Sequence, residues 1–178
     1  MGTVILLQEE EAGWSFKEEF RKILLTFTKS GMNMKMDSVI LINPMHCLTN
    51  TGSWELRIDL TFTDGAKTYM HYKNFSVGSA YHQYQLNLSG FVGVTPVDPF
   101  SAHKLDGQPF STVDRLNYGT CARNGHGSNS PGGWWYKSCF HINLNYNYGG
   151  PDGFVYFGSK WQSPSFIEMK IRPTTCSA

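Results

Sequence analysis

The sequence has no surplus of charge of either sign. Its 15 lysines and arginines stand against 14 aspartates and glutamates, a formal net charge of +1. Nothing global therefore draws it to nucleic acid or to an anionic membrane surface. It also lacks any apolar run near the roughly 18 residues that a membrane-crossing helix needs, so no membrane insertion is expected. Enzymatic signatures are missing too: there is no G-x-S-x-G elbow, no His-Glu-x-x-His, no phosphate-cradling glycine loop and no dinucleotide fingerprint. The glycine-rich stretch Asn124 to Asn129 has no Lys-Ser/Thr behind it. His103, Asp106 and Ser111 are close in sequence, but such closeness says little about a triad. No catalytic residue is assigned. The opening Thr3-Val4-Ile5-Leu6-Leu7 is too short, and too soon followed by Glu9, Glu10 and Glu11, to act as a secretory leader.

What is present suits one domain. The 178 residues are enough for a sizeable core, 40% of them are apolar, and the aromatic share of 15% is high. Trp14, Phe16, Phe20, Ile23, Leu24 and Phe27 recur at spacings of three and four between charged residues, which predicts an amphipathic helix stopping near Gly31. A Met-rich loop over 31–37 and a short strand over 38–43 follow. Trp54 to Leu60 alternates apolar and charged residues, the pattern of a half-buried strand, and Asp64-Gly65 turns the backbone as in a hairpin. Thr68 to Tyr72 and Tyr84 to Leu88 continue the alternation, and the sum is an antiparallel sheet with one face on the core and one face wet. From Gly90 to Gln108 glycine and proline recur without a period, so loop is expected there. Asn74-Phe75-Ser76 and Asn87-Leu88-Ser89 are candidate glycosylation sequons.

The densest stretch runs from Ser130 to Asn145. A Gly-Gly pair leads into Trp134, Trp135 and Tyr136, then Cys139, then Asn143-Leu144-Asn145. Adjacent indoles need a deep apolar site. Four cysteines permit two disulfides without proving any. Cys121-x4-His126 with Cys139-x-His141 is an alternative, tetrahedral zinc set, although neither spacing is that of a known finger and Cys-x-His is cramped for two ligands on one metal.

In sequence order, Phe110-Ser111-Thr112, Asp114, Cys121-Ala122, Gly133 to Tyr136, Cys139, Asn143-Leu144-Asn145 and Met169 to Pro173 resemble the C-terminal half of a fibrinogen-like domain. That is the globular module of fibrinogens, ficolins, tachylectins, angiopoietins and tenascins. The resemblance implies an α+β fold: a twisted antiparallel sheet with short helices and a loop-rich C-terminal lobe. It implies one domain over 1–178, with a sheet-and-helix region at 1–95 and a ligand-side lobe at 96–178. Thr3-Val4-Ile5 matches a strand that the family places after a first subdomain, so the sequence reads as lacking that subdomain. Pro44 to Asn50 matches a short family helix.

The same resemblance implies a disulfide between Cys121 and Cys139. Cys47 and Cys176 have no family counterpart, and their pairing with each other or with another polypeptide stays open. In ficolin-like members an acetyl group docks beside the disulfide, against a strained, often cis, peptide before the second cysteine. The corresponding candidates here are Tyr136, Ser138, Phe140, His141, Asn143 and Tyr148. Phe140 stands where those members carry the pocket histidine, and His141 lies one place on. The family's calcium loop is shortened to the single carboxylate of Asp114, so no metal and no cofactor is expected. The function implied is a secreted, extracellular, non-enzymatic recognition module for a protein receptor, a matrix protein or a cell-surface glycan. The alternative is a lectin for acetylated glycans in innate immune recognition. Oligomers would form through a stem that this stretch of sequence does not contain.

Overall fold

The computed structural model describes residues 37–117, 119–124, 133–139, 141–145, 155–157 and 160–174. The expected strand at 3–5, the helix at 14–27 and most of the Met-rich loop lie outside them. The architecture is α+β, an antiparallel sheet with short helices, as the sequence predicts.

Four strands carry the centre: β1 (Trp54–Phe62), β2 (Lys67–Val77), β3 (Leu86–Gly93) and β8 (Pro164–Pro173), ordered β3-β2-β1-β8 and antiparallel throughout. Alternation along β1 puts Trp54, Leu56, Ile58, Leu60 and Phe62 on the core side. Met70 and Tyr72 of β2 and Ile167, Met169 and Ile171 of β8 join them. At about 25 cal/mol per Å² of apolar surface removed from water, such side chains dominate the stabilisation of the sheet. The turn after β1 forms at Asp64-Gly65: Gly65 takes φ +84, its N–H donates to the Phe62 carbonyl, and the Asp64 carboxylate accepts from the Ala66 N–H at 2.9 Å. The positive φ suits glycine, which has no Cβ to clash.

The opposite face is a ladder of ion pairs. Glu55 accepts from His71 at 3.0 Å and from Arg172 at 2.7 Å, and Asp59 accepts from Arg57 at 2.9 Å. The β1–β8 register sets Asp59 opposite Glu168, a like-charge pair, and Lys170 bridges both at 2.7 and 3.0 Å. Burial pulls the Glu55 and Asp59 carboxyls upward, but the surrounding cations outweigh it and hold both below the usual carboxylate range.

Two expectations are corrected. Residues 38–43 are helix, not strand: α1 spans Asp37–Thr49 and takes in the short helix expected at 44–50. Four apolar residues in a row, Val39 to Ile42, fit either element by periodicity. The fold decides for helix because Ile42, Met45 and Thr49 then share one buried stripe, and because α1 ends against β2. There the Thr49 hydroxyl accepts from the Val77 N–H at 3.0 Å and the Asn50 amide donates to the Val77 carbonyl at 2.8 Å. Second, the strand expected over 84–88 begins at Leu86 and runs on to Gly93. Gln83 and Tyr84 have φ +54 and +52, which no strand tolerates, whereas Gly90 at φ +70 stays within β3, unpaired between the Tyr72–Phe91 and Asn74–Ser89 pairs. A Cβ on Gly90 would meet the Lys73 side chain at 2.9 Å, so this glycine marks close approach and not loop.

Between β3 and β8 lies the lobe. It contains the short helices α2 (Pro99–Ala102) and α3 (Cys121–Asn124) and two paired fragments. These are β4 (Phe110–Ser111) with β5 (Trp134–Trp135), and β6 (Val155–Phe157) with β7 (Lys160–Gln162). Asp98 ties lobe to sheet. Its carboxylate accepts from the Tyr72 hydroxyl at 2.7 Å and from the Phe100 N–H at 2.9 Å, capping α2. Phe100 then packs on Tyr72 and on Trp134, with ring centroids 5.6 and 6.5 Å away.

Candidate functional site

The Trp-Trp-Tyr stretch is an anchor. Trp134, Trp135 and Tyr136 are all buried, and β5 pairs with β4 so that the Trp135 ring lies 5.0 Å from Phe110. The Trp135 Nε1–H donates to the Tyr84 carbonyl at 2.7 Å. The Trp134 Nε1–H is buried with no hydrogen-bond partner among the described residues.

The segment Asn143-Leu144-Asn145 closes beneath this anchor. The Asn143 side-chain oxygen accepts from the Asn145 N–H at 3.0 Å, an Asx turn, and the Asn145 amide donates to the Gly133 carbonyl at 2.9 Å. The Asn143 amide donates to the Tyr136 hydroxyl at 3.4 Å. Tyr136 is 0% exposed and Asn143 1%, so both of these candidates face inward.

Cys121 and Cys139 form a disulfide, S–S 2.00 Å, which leaves neither sulfur for the alternative zinc set. Cys121 and Ala122 are buried at the start of α3, and Cys139 packs half-buried against the same core. No cis peptide occurs among the described residues, so the Ser138–Cys139 peptide is trans, unlike the often-cis counterpart. Cys47 is a free, exposed thiol on α1, and Cys176 lies outside the described residues. Phe140 and Tyr148 also lie outside them.

On the solvent side of the disulfide the lobe presents exposed Lys137, half-buried Ser138 and half-buried His141. The fold adds two residues that sequence reasoning did not assign to the site. His141 packs on His103 with ring centroids 4.5 Å apart and on Trp161 at 5.7 Å, and Trp161 is 48% exposed. Burial, and then the neighbouring His141, push the His103 imidazole below its ordinary value. These three come from separate parts of the lobe, so no local spacing signals them.

The sequence neighbours His103, Asp106 and Ser111 do not converge as a triad. Asp106 accepts from the Leu88 N–H at 2.7 Å, and Ser111 is fully buried with its hydroxyl accepting from the Asn117 N–H at 3.1 Å. Asp114 sits exposed on a tight turn, where the Thr112 and Arg115 backbones bond one another at 2.9 and 3.2 Å. The Asn117 amide turns away to the Phe110 carbonyl, and Arg115 places a cation beside Asp114. Calcium takes about six to eight oxygens, several from carboxylates, and the described residues of this loop do not fit that demand. Asn74 and Asn87 are exposed on β2 and β3.

The family model for the C-terminal globular domain of fibrinogen beta and gamma chains matches residues 2–174. Tenascin-R of Gallus gallus is 35% identical over 148 residues, 79% of this chain and 10% of that protein. Fibrinogen-like protein A of Apostichopus parvimensis is 32% identical over 182 residues, 93% of this chain and 62% of that protein. Human ficolin-3 is 36% identical over 123 residues, 67% of this chain and 39% of that protein. Among solved structures, the fibrinogen-like globe domain of human ANGPTL6 is similar with TM-score 0.60 and 33% identity, covering 76% of this chain and 63% of that one. The lamprey fibrin D-dimer complexed with the peptide Gly-His-Arg-Pro-amide is similar with TM-score 0.58 and 26% identity, covering 77% of this chain and 50% of that one. The protein thus spans a tenth of tenascin-R and less than two thirds of the other relatives and structures named here.

Proposed function

The protein belongs to the family of C-terminal globular domains of fibrinogen beta and gamma chains, and from that membership we propose that it is the recognition head of a secreted protein. It docks a protein receptor or matrix protein through the lobe between β3 and β8 and carries no catalytic activity. Its relatives among the tenascins and ficolins are extracellular recognition modules. No described helix is long and apolar enough to cross a membrane.

One observation carries the choice of a protein partner. Beside the disulfide, solvent meets Trp161, His141, His103, Ser138 and Lys137, whereas Tyr136 and Asn143 are sealed inside. A half-exposed tryptophan backed by imidazoles is the type of surface that anchors protein interfaces, where Trp, Tyr and Arg carry most of the affinity. The lamprey relative is complexed with a peptide, which favours the same reading. A lectin for acetylated glycans, favoured by the similarity to ficolin-3, needs polar groups converging on an open pocket. The burial of Tyr136 and Asn143 removes two of them.

The test is binding of the labelled protein to extracellular matrix or intact cells stripped either with protease or with glycosidases, alongside an acetylated resin. Protease should abolish binding, deglycosylation should leave most of it, and the resin should not retain the protein. Retention on the resin with elution by free acetate would overturn this choice in favour of the lectin.

A further inference from the structure

The two sequons, thirteen residues apart in the sequence, face one another across the sheet. The β2–β3 register pairs Asn74 with Ser89 and Ser76 with Asn87, so each acceptor asparagine lies opposite the hydroxyl residue of the other sequon. Both asparagines are exposed on the same face. They edge an open, polar groove of about 300 Å³ that extends to Ser53 on one side and Asp106 on the other.

Their hydrogen bonding differs. The Asn74 amide donates to the Ser89 hydroxyl at 3.0 Å, which uses one of its two hydrogens. The Asn87 amide reaches the Gln85 carbonyl at 3.3 Å and, across the strands, the Ser76 hydroxyl at 3.4 Å and carbonyl at 3.5 Å. Three acceptors thus share its two hydrogens. N-linked transfer replaces one amide hydrogen. The Asn Nδ2 bonds to the anomeric carbon of a lipid-diphosphate-linked oligosaccharide, the carbon–oxygen bond to the diphosphate breaks, the amide loses a proton, and the lipid diphosphate leaves with the bonding pair. At Asn74 this keeps the bond to Ser89 and points a sugar over the polar groove. At Asn87 it removes a contact that clamps β3, the edge strand, to β2.

We propose that Asn74 is the N-glycan attachment site of this domain and that Asn87 stays unmodified as a cross-strand clamp. Molecules modified at Asn87 fold less well and are depleted from the secreted pool. The inference rests on passage through a secretory route, as the recognition-head reading requires.

The experiment expresses the protein behind a cleavable leader in a eukaryotic secretory host and maps glycans in the medium by peptide-N-glycosidase (amidase) release in heavy-oxygen water, which turns each glycosylated asparagine into labelled aspartate, with peptide mass spectrometry. The wild type, Asn74→Gln, Asn87→Gln and Ser76→Ala are compared. The expected result is labelled aspartate at position 74 in most wild-type molecules and several-fold less at position 87. Asn87→Gln should keep the glycan, and Ser76→Ala, which destroys the first sequon together with the hydroxyl contact to Asn87, should lose it. Equal labelling at both positions, a majority at 87, or no label on secreted wild-type protein would overturn the inference. An unlabelled but secreted and disulfide-bonded protein would leave the recognition reading standing. Retention inside the cell with Cys121 and Cys139 as free thiols would count against both. The wild-type map is decisive even if a variant fails to fold.

Discussion

The Trp135 indole donates its N–H to the carbonyl of Tyr84 across 2.7 Å, with both residues buried, and so fastens the lobe to the foot of the sheet. The carbonyl belongs to the second of two consecutive residues with positive φ, a conformation that non-glycine residues rarely hold without support. Replacing Trp135 with Phe leaves that carbonyl without its indole donor and should cost about 1–3 kcal/mol. Trp135→Ala adds a cavity and should cost about 3–5 kcal/mol. Chemical denaturation of the two variants checks both figures. A loss below about 0.5 kcal/mol for Trp135→Ala would mean that the lobe is not anchored there.

The disulfide predicts a second loss. Cys121 and Cys139 are 18 residues apart, and closing a loop of that size stabilises by about 3 kcal/mol in the polymer-entropy account. Non-reducing peptide mapping should recover the two cysteines linked, and the paired Cys121→Ser, Cys139→Ser variant should unfold at lower denaturant. Zinc released in stoichiometric amount on denaturation would contradict the linkage.

Acid should weaken the fold in two stages. The His103 imidazole is depressed, so the folded state binds fewer protons than the unfolded one. Its contribution is whole above the ordinary histidine value, near pH 6.5, and is lost as pH falls through the depressed one. Glu55 and Asp59 are depressed too, and their contribution is whole above the ordinary carboxylate range, near pH 4, and lost below it. Urea midpoints against pH should therefore fall first below neutrality and again in strong acid. His103→Gln should flatten the first step, and Glu55→Gln part of the second. A midpoint that rises on acidification would contradict the sign.

Calcium should not stabilise the domain. A ligand bound only by the folded form must raise the unfolding temperature. With Asp114 exposed beside Arg115, sub-millimolar calcium is expected to leave the midpoint unchanged. An upward shift that disappears in Asp114→Ala would show a site in a rearranged loop.

What could be read in advance followed the range of each signal. The nine residues of β1 alternate without a break, and a period of two over that length admits one reading. The cysteine pair and the order of the surrounding motifs carried the family. Val39 to Ile42 misled because an unbroken apolar run has no period. Tyr136 and Asn143 are a different case: the resemblance marks their positions, but only the fold shows the two side chains hydrogen-bonded to each other and closed off from solvent. His103, His141 and Trp161 meet through tertiary packing alone, so the surface they form was illegible.

The most direct test of the recognition surface is a binding isotherm of Trp161→Ala on the protease-sensitive matrix or cell surface, taken with its thermal midpoint. Trp161 is 48% exposed, so truncating it should leave stability within about 0.5 kcal/mol of wild type. Binding should weaken at least tenfold, about 1.4 kcal/mol. Unchanged affinity with an unchanged midpoint would contradict the claim that this face of the lobe makes the contact.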